Sequence, residues 1–152
     1  MTCHPMTAQK AGLLILLTSG LALAACTDDQ GLALARARWH NQHLTSYRVD
    51  WKQSVCFCGE DSERAKRISV VNDAVAGGVY LDNSQPVDLR ADPLRTIDET
   101  FDWLEMTLAD GVGKLEVQYD PVLHYPTSIM IDHDVKIADD EDTYRITDLV
   151  AD

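Results

Sequence analysis

From Tyr47 onward, apolar and polar positions alternate. Tyr47, Val49, Trp51 and Val55 fall on one side, and Arg48, Asp50, Lys52 and Ser54 on the other. A period of two describes a half-buried antiparallel strand. Arg67 to Val71, with Ile68 and Val70 on one face, predicts a second strand, and Asn72-Asp73 a tight turn. Ala74 to Leu81 follows as a third strand, bent at Gly77-Gly78. Before these strands, Leu32, Ala35, Trp39 and His43 recur at helical spacing. They predict a helix over 32–44, led by the acidic pair Asp28-Asp29. Trp39 reads as a core anchor of that helix.

The polar stretch Asp82 to Arg95, with Pro86 and Pro93, predicts a loop. Thr96-Ile97-Asp98-Glu99 has the form of a capping box, in which the Thr hydroxyl and the Glu carboxylate each serve the other's backbone N–H. Ile97, Phe101, Leu104 and Leu108 then mark a helix that stops near Asp110-Gly111. Leu115, Val117 and Tyr119 alternate as a fourth strand, broken by Asp120-Pro121. Ile129 and Ile131 form a fifth after Tyr125-Pro126, and Tyr144 to Val150 a sixth after the acidic turn Asp139 to Asp142.

The order αβββαβββ predicts an α+β fold. Two helices would pack on one face of a mostly antiparallel sheet of about six strands. Trp39, Trp51, Phe101, Leu104, Leu108, Val117 and Ile131 are the expected core. The halves answer each other in outline, Tyr47-Arg48-Val49-Asp50 against Leu115-Glu116-Val117-Gln118, which suggests a duplicated αβββ unit.

Composition and the first 26 residues change the picture from fold to place. Lys10 precedes an uncharged run from Ala11 to Leu23, and Leu23-Ala24-Ala25-Cys26 closes it. This is the basic, apolar and small-residue pattern of an export signal. The run is shorter than the roughly 20 residues that a membrane span needs. Leu-Ala-Ala-Cys directly after such a run has the form of a bacterial lipobox. Residues 1–25 are then a removable signal, Cys26 carries the lipid, 26–31 are a tether, and 32–152 form a single domain. Two or more acyl chains would anchor it stably, where one would not. Thr27 after the lipid site, in place of Asp, points to an outer membrane where the cell has one.

After Cys26 the chain holds 25 acidic and 12 basic residues, a formal charge of −13. Phosphate backbones are bound by clustered Lys and Arg, so this balance argues against nucleic acid.

Cys56 and Cys58 remain for chemistry in an oxidising compartment. On one face of a strand their Cα atoms would stand about 6.4–6.8 Å apart, the upper edge of what a disulfide spans. A structural Cys56–Cys58 disulfide, a labile redox pair, free thiols and a metal site are all open readings. Zinc would draw on Cys56, Cys58, His40 and His43, at spacings tighter than usual. The acids Asp132, Asp134, Asp139, Asp140, Glu141 and Asp142 invite calcium, but an EF-hand loop from Asp132 would need Gly where Ile137 stands. No Gly-x-Ser-x-Gly elbow, phosphate loop or His-Glu-x-x-His occurs. A cysteine nucleophile with His124 or His133 is the remaining catalytic arrangement.

Several marks together resemble a known family. They are Trp39, Tyr47, Cys56-Phe57-Cys58, Thr96-Ile97-Asp98 with Phe101, Tyr119-Asp120-Pro121, Tyr125-Pro126-Thr127, Asp132 and Asp139-Asp140-Glu141. The set is similar to the bacterial lipoprotein family known as domain of unknown function 6174, from about Trp39 to Tyr144. That family has Gly before the Tyr-Pro pair, where this chain has His124, and the departure bears on the local turn. The resemblance implies location and fold and brings no activity, cofactor or substrate. The expected function is a lipid-anchored envelope lipoprotein that acts as a non-enzymatic binding module toward an unidentified envelope protein. The alternative is an envelope thiol-disulfide protein using Cys56 and Cys58.

Overall fold

The computed structural model describes residues 28–54, 63–137 and 140–152. Cys26, Cys56, Cys58 and Asp139 lie outside the described residues.

The first helix, α1 (Asp28–His40), begins and ends four residues before the predicted 32–44. The expected tether residues from Asp28 onward are thus helical. His43, at φ 54°, has left the helix. Leu32, Ala35 and Trp39 are buried as a stripe, whereas His40 and His43 are exposed.

Three strands follow: β1 (Tyr47–Ser54), β2 (Lys66–Val71) and β3 (Ala74–Tyr80). Asn72 and Asp73 both take positive φ, as a two-residue hairpin turn between right-twisted strands requires. A register shift after Ser69, opposite Gly77, bends β3 where the glycine pair predicts it.

The loop after β3 packs back over it. Val87 N–H donates to the Gly78 carbonyl, and a Cβ at Gly78 would overlap Leu94 Cδ1. Gly78 is what lets the 82–95 segment lie so close.

The second helix, α2 (Ile97–Asp110), has the full capping box: Glu99 N–H donates to Thr96 Oγ1, and Thr96 N–H to Glu99 Oε2. Gly111 closes it in the left-handed region. Then come β4 (Lys114–Tyr119), β5 (Pro126–Asp132) and β6 (Glu141–Ala151).

The six strands form one sheet in the order β3-β2-β1-β6-β5-β4, with every neighbouring pair antiparallel. The fold is α+β, with the predicted order αβββαβββ. Both helices lie on one face and share one core. Trp39, Trp51, Phe101, Leu104 and Ile131 are buried as expected, and Leu108 and Val117 pack partly buried against them. Arg36 of α1 joins the helices through Asp102 at 2.5 Å and Glu105 at 2.6 Å of α2.

The two halves are not copies of one unit. Mapping β1, β2, β3 onto β4, β5, β6 keeps their left-to-right order, reverses strand direction, and leaves the helix on the same face. No rotation does all three, so the halves are of opposite hand and the αβββ repeat is one of pattern alone.

Candidate functional site

One end of the sheet, where β1 starts and β4 turns into β5, is a structural knot. Asp98, on the first turn of α2, accepts from Trp39 Nε1 at 3.2 Å and meets His40 Nε2 at 2.7 Å. Tyr47 Oη accepts the Ile97 N–H at 2.8 Å, and burial pushes that phenol far above its usual range. The Tyr125 ring stands edge-on to Trp39, with centroids 6.4 Å apart, and Tyr119 stacks on Phe101 at the same spacing. Asp120 Oδ1 accepts the N–H groups of Val122 and Leu123, which folds the β4–β5 turn. Eight of the residues that carry the family resemblance thus serve this knot, tying helices to sheet or folding its turn.

The opposite end, where β1 finishes and β2 begins, carries a cavity of about 200 Å³. Trp51 and Gln53 of β1, Lys66 of β2, Tyr144 of β6 and Asp92 to Arg95 of the loop line it. Lys66 faces inward because it pairs in register with Trp51. It is almost wholly buried, and its ammonium forms an ion pair with Asp92. Unpaired burial of either charge would cost several kcal/mol. Trp51 and Trp103 both pack on Tyr144, at 5.7 and 5.1 Å between centroids, and the Arg95 guanidinium lies 4.8 Å from the Trp103 ring. Desolvation pushes the Tyr144 phenol up to about 12, so it stays protonated at neutral pH. Aromatic walls, the Lys66–Asp92 ion pair, Arg95, an amide and a phenol thus line the cavity.

The outer face of the sheet has no helix over it among the described residues. Arg48, Lys52, Arg67 and Arg145 stand on it, all exposed. Asp50, cross-strand from Arg67, is buried by a bidentate pair at 2.7 and 2.8 Å. Lys52 and Arg145 are direct cross-strand partners. A shallow cleft of about 210 Å³ runs between them and Leu81.

Known sequences bear on these surfaces. The family described as "Family of unknown function (DUF6174)" matches residues 31–151. The chain belongs to this family. No curated protein and no solved structure matches it.

His40 and His43 sit before the first residue of β1, and a strand of eight residues is about 25 Å long, so both histidines stand at the end of β1 away from Ser54. Cys56 and Cys58, the other two proposed zinc ligands, lie outside the described residues. His124 lies in the β4–β5 turn, also at the far end from Ser54. His133 is at the near end, with Nε2 3.1 Å from Asp142. Among the described residues no three His, Cys, Asp or Glu side chains are grouped to hold a metal ion. Asp134 accepts the Lys136 N–H, and Asp132 faces the outer side of the sheet between Lys114 and Glu141.

The cavity and the outer cation pair were not legible in the sequence. Alternation placed Asp50 and Lys52 on the polar face, but no local pattern reveals what lies across the strand.

Proposed function

We propose that the protein is an exported lipoprotein, held to a bacterial envelope membrane by acyl chains on Cys26, with a folded part that is a non-enzymatic interaction module. Where the cell has an outer membrane, that membrane is the expected site. The leader pattern ending in Leu23-Ala24-Ala25-Cys26 supports the anchor. Among the described residues no helix is long and apolar enough to cross a membrane.

The module reading is carried by one observation: both helices cover the same face of the sheet, and the other face presents exposed side chains from its central strands. Such a face can meet an envelope protein without rearranging the core. Labelled palmitate fed to producing cells should enter the wild-type chain and not Cys26→Ser, and the variant should leave the membrane fraction. Equal labelling of both chains, or a variant still bound to membranes, would reject the anchor.

A thiol-disulfide role is the second reading. It rests on the Cys56-Phe57-Cys58 spacing in a chain with an export-type leader. Here the Cys56→Ser, Cys58→Ser double variant should fold yet lose disulfide exchange with a reduced peptide. Loss of folding alone, or a pair that resists millimolar dithiothreitol in the folded protein, would leave the cysteines a structural role.

A further inference from the structure

We infer that the outer face of the sheet docks an acidic, extended segment of a partner protein, gripped by Lys52 and Arg145. This rests on reading that face as the docking surface. β1 and β6 are the two central strands, and Lys52 and Arg145 sit directly opposite each other across them. Side chains so placed have Cβ atoms about 5 Å apart, and like charges there repel. In a chain with twice as many acids as bases, an opposed pair of cations at the middle of the sheet is an unfavourable arrangement to retain.

The two arginines beside them on this face are already paired. Arg67 forks onto Asp50, and Arg48 Nε donates to Asp152 at 3.1 Å. Asp148 and Asp50 also line the cleft; the Thr147 hydroxyl donates to Asp148, and Asp50 is held by Arg67. Among the described residues, neither Lys52 nor Arg145 forms an ion pair. Beside them, Ala65 and Leu81 give the cleft apolar wall, and Leu81 is 42 % exposed.

Two adjacent cations with an aliphatic shelf fit carboxylates that alternate with apolar side chains, the pattern of an acidic strand laid along the sheet. An anionic bilayer fits less well, because the whole body carries −13 after Cys26. The acidic partner supplies what the face lacks, and charge complementarity speeds and orients its arrival.

The test uses the full chain in a neutral detergent and a dye-labelled peptide of alternating Glu and Leu. Fluorescence anisotropy should show saturable binding that weakens with salt. Lys52→Glu with Arg145→Glu should reduce affinity at least about tenfold, and a Lys-Leu peptide should not bind. Lys52→Gln with Arg145→Gln should give a smaller loss with an unchanged melting temperature, which keeps the test valid if the Glu variant misfolds. Absence of saturable binding, equal binding by the variants, preference for phosphatidylglycerol vesicles, or self-association through the same face would overturn the inference. A photo-crosslinking residue at Thr147, used in cells, separates the two levels. Crosslinks to a partner that survive both charge variants would remove the acidic chemistry and leave the docking face. Absence of any crosslink, with or without the charge changes, would remove the docking face itself.

Discussion

His124 holds its backbone at φ 65°, a region that costs a residue with a Cβ roughly 1–2 kcal/mol. Its N–H donates to the Asp120 carbonyl at 3.0 Å, so the turn needs that geometry. A glycine takes this left-handed position, which closes the β4–β5 turn, without that cost. Replacing His124 by Gly relieves the strain and adds back about 0.5–1 kcal/mol of unfolded-chain freedom. The net expectation is a gain of about 0.5–1 kcal/mol, read from urea unfolding. A loss of stability would mean that the imidazole contributes contacts that outweigh the strain. Asp50 shows the limit of reading at this scale. Its place in the alternation predicts an exposed carboxylate, and it does lie on the outer face. It is buried there because Arg67, one strand away, covers it. Lys66 is the converse, a cation one residue before the predicted start of a strand, turned inward by its register with Trp51.

At the scale of elements, α2 was legible almost to the residue. Its cap, its buried stripe Ile97, Phe101 and Leu104, and its stop at Gly111 all involve groups within a few positions of one another. Thr96→Ala removes the acceptor of the Glu99 N–H and should cost about 1 kcal/mol. A loss well above that in chemical denaturation would show that the change also disturbs the neighbouring Ile97–Tyr47 bond. The sequence pattern puts the first helix four residues late, because Trp39 and His43 fit one helical face. In the fold, Gln42 N–H donates to the Trp39 carbonyl and the chain then turns at His43 toward β1. The 82–95 segment was correctly expected to be a loop. Its function was not readable, since Asp92 and Arg95 acquire meaning only once Gly78 lets the loop reach Lys66 and Arg95 reaches Trp103. The apparent repeat of αβββ also belongs to this scale. Similar local patterns produced halves of opposite hand, because each strand's neighbours are set by the whole sheet.

At the scale of the molecule, three buried or part-buried phenols, Tyr47, Tyr125 and Tyr144, tie the helices and the sheet together. Desolvation raises all three above the usual value near 10, Tyr144 to about 12. A folded state that holds these protons more tightly than the unfolded chain keeps its full stability below pH 10 and loses it as pH rises through the folded values. Thermal melts should therefore be insensitive to these groups from neutral pH to about 9. They should fall steeply above about 11, with phenolate absorbance rising together with unfolding. Phenolate absorbance that rises by about pH 10 in a still-folded protein would contradict the burial of these rings.

The sequence by itself determined the strand and helix periods, the α2 cap, the fold class, the acidic charge balance and the leader pattern at Cys26. Each depends on residues near one another or on simple counts. Only the tertiary structure decided the order of strands across the sheet, the inward Lys66, the place of His40 and His43 at the end of the sheet away from Ser54, and the opposed pair Lys52 and Arg145. Those depend on which strand lies beside which. Registry between distant segments is set by burying a shared core, and no local pattern encodes it.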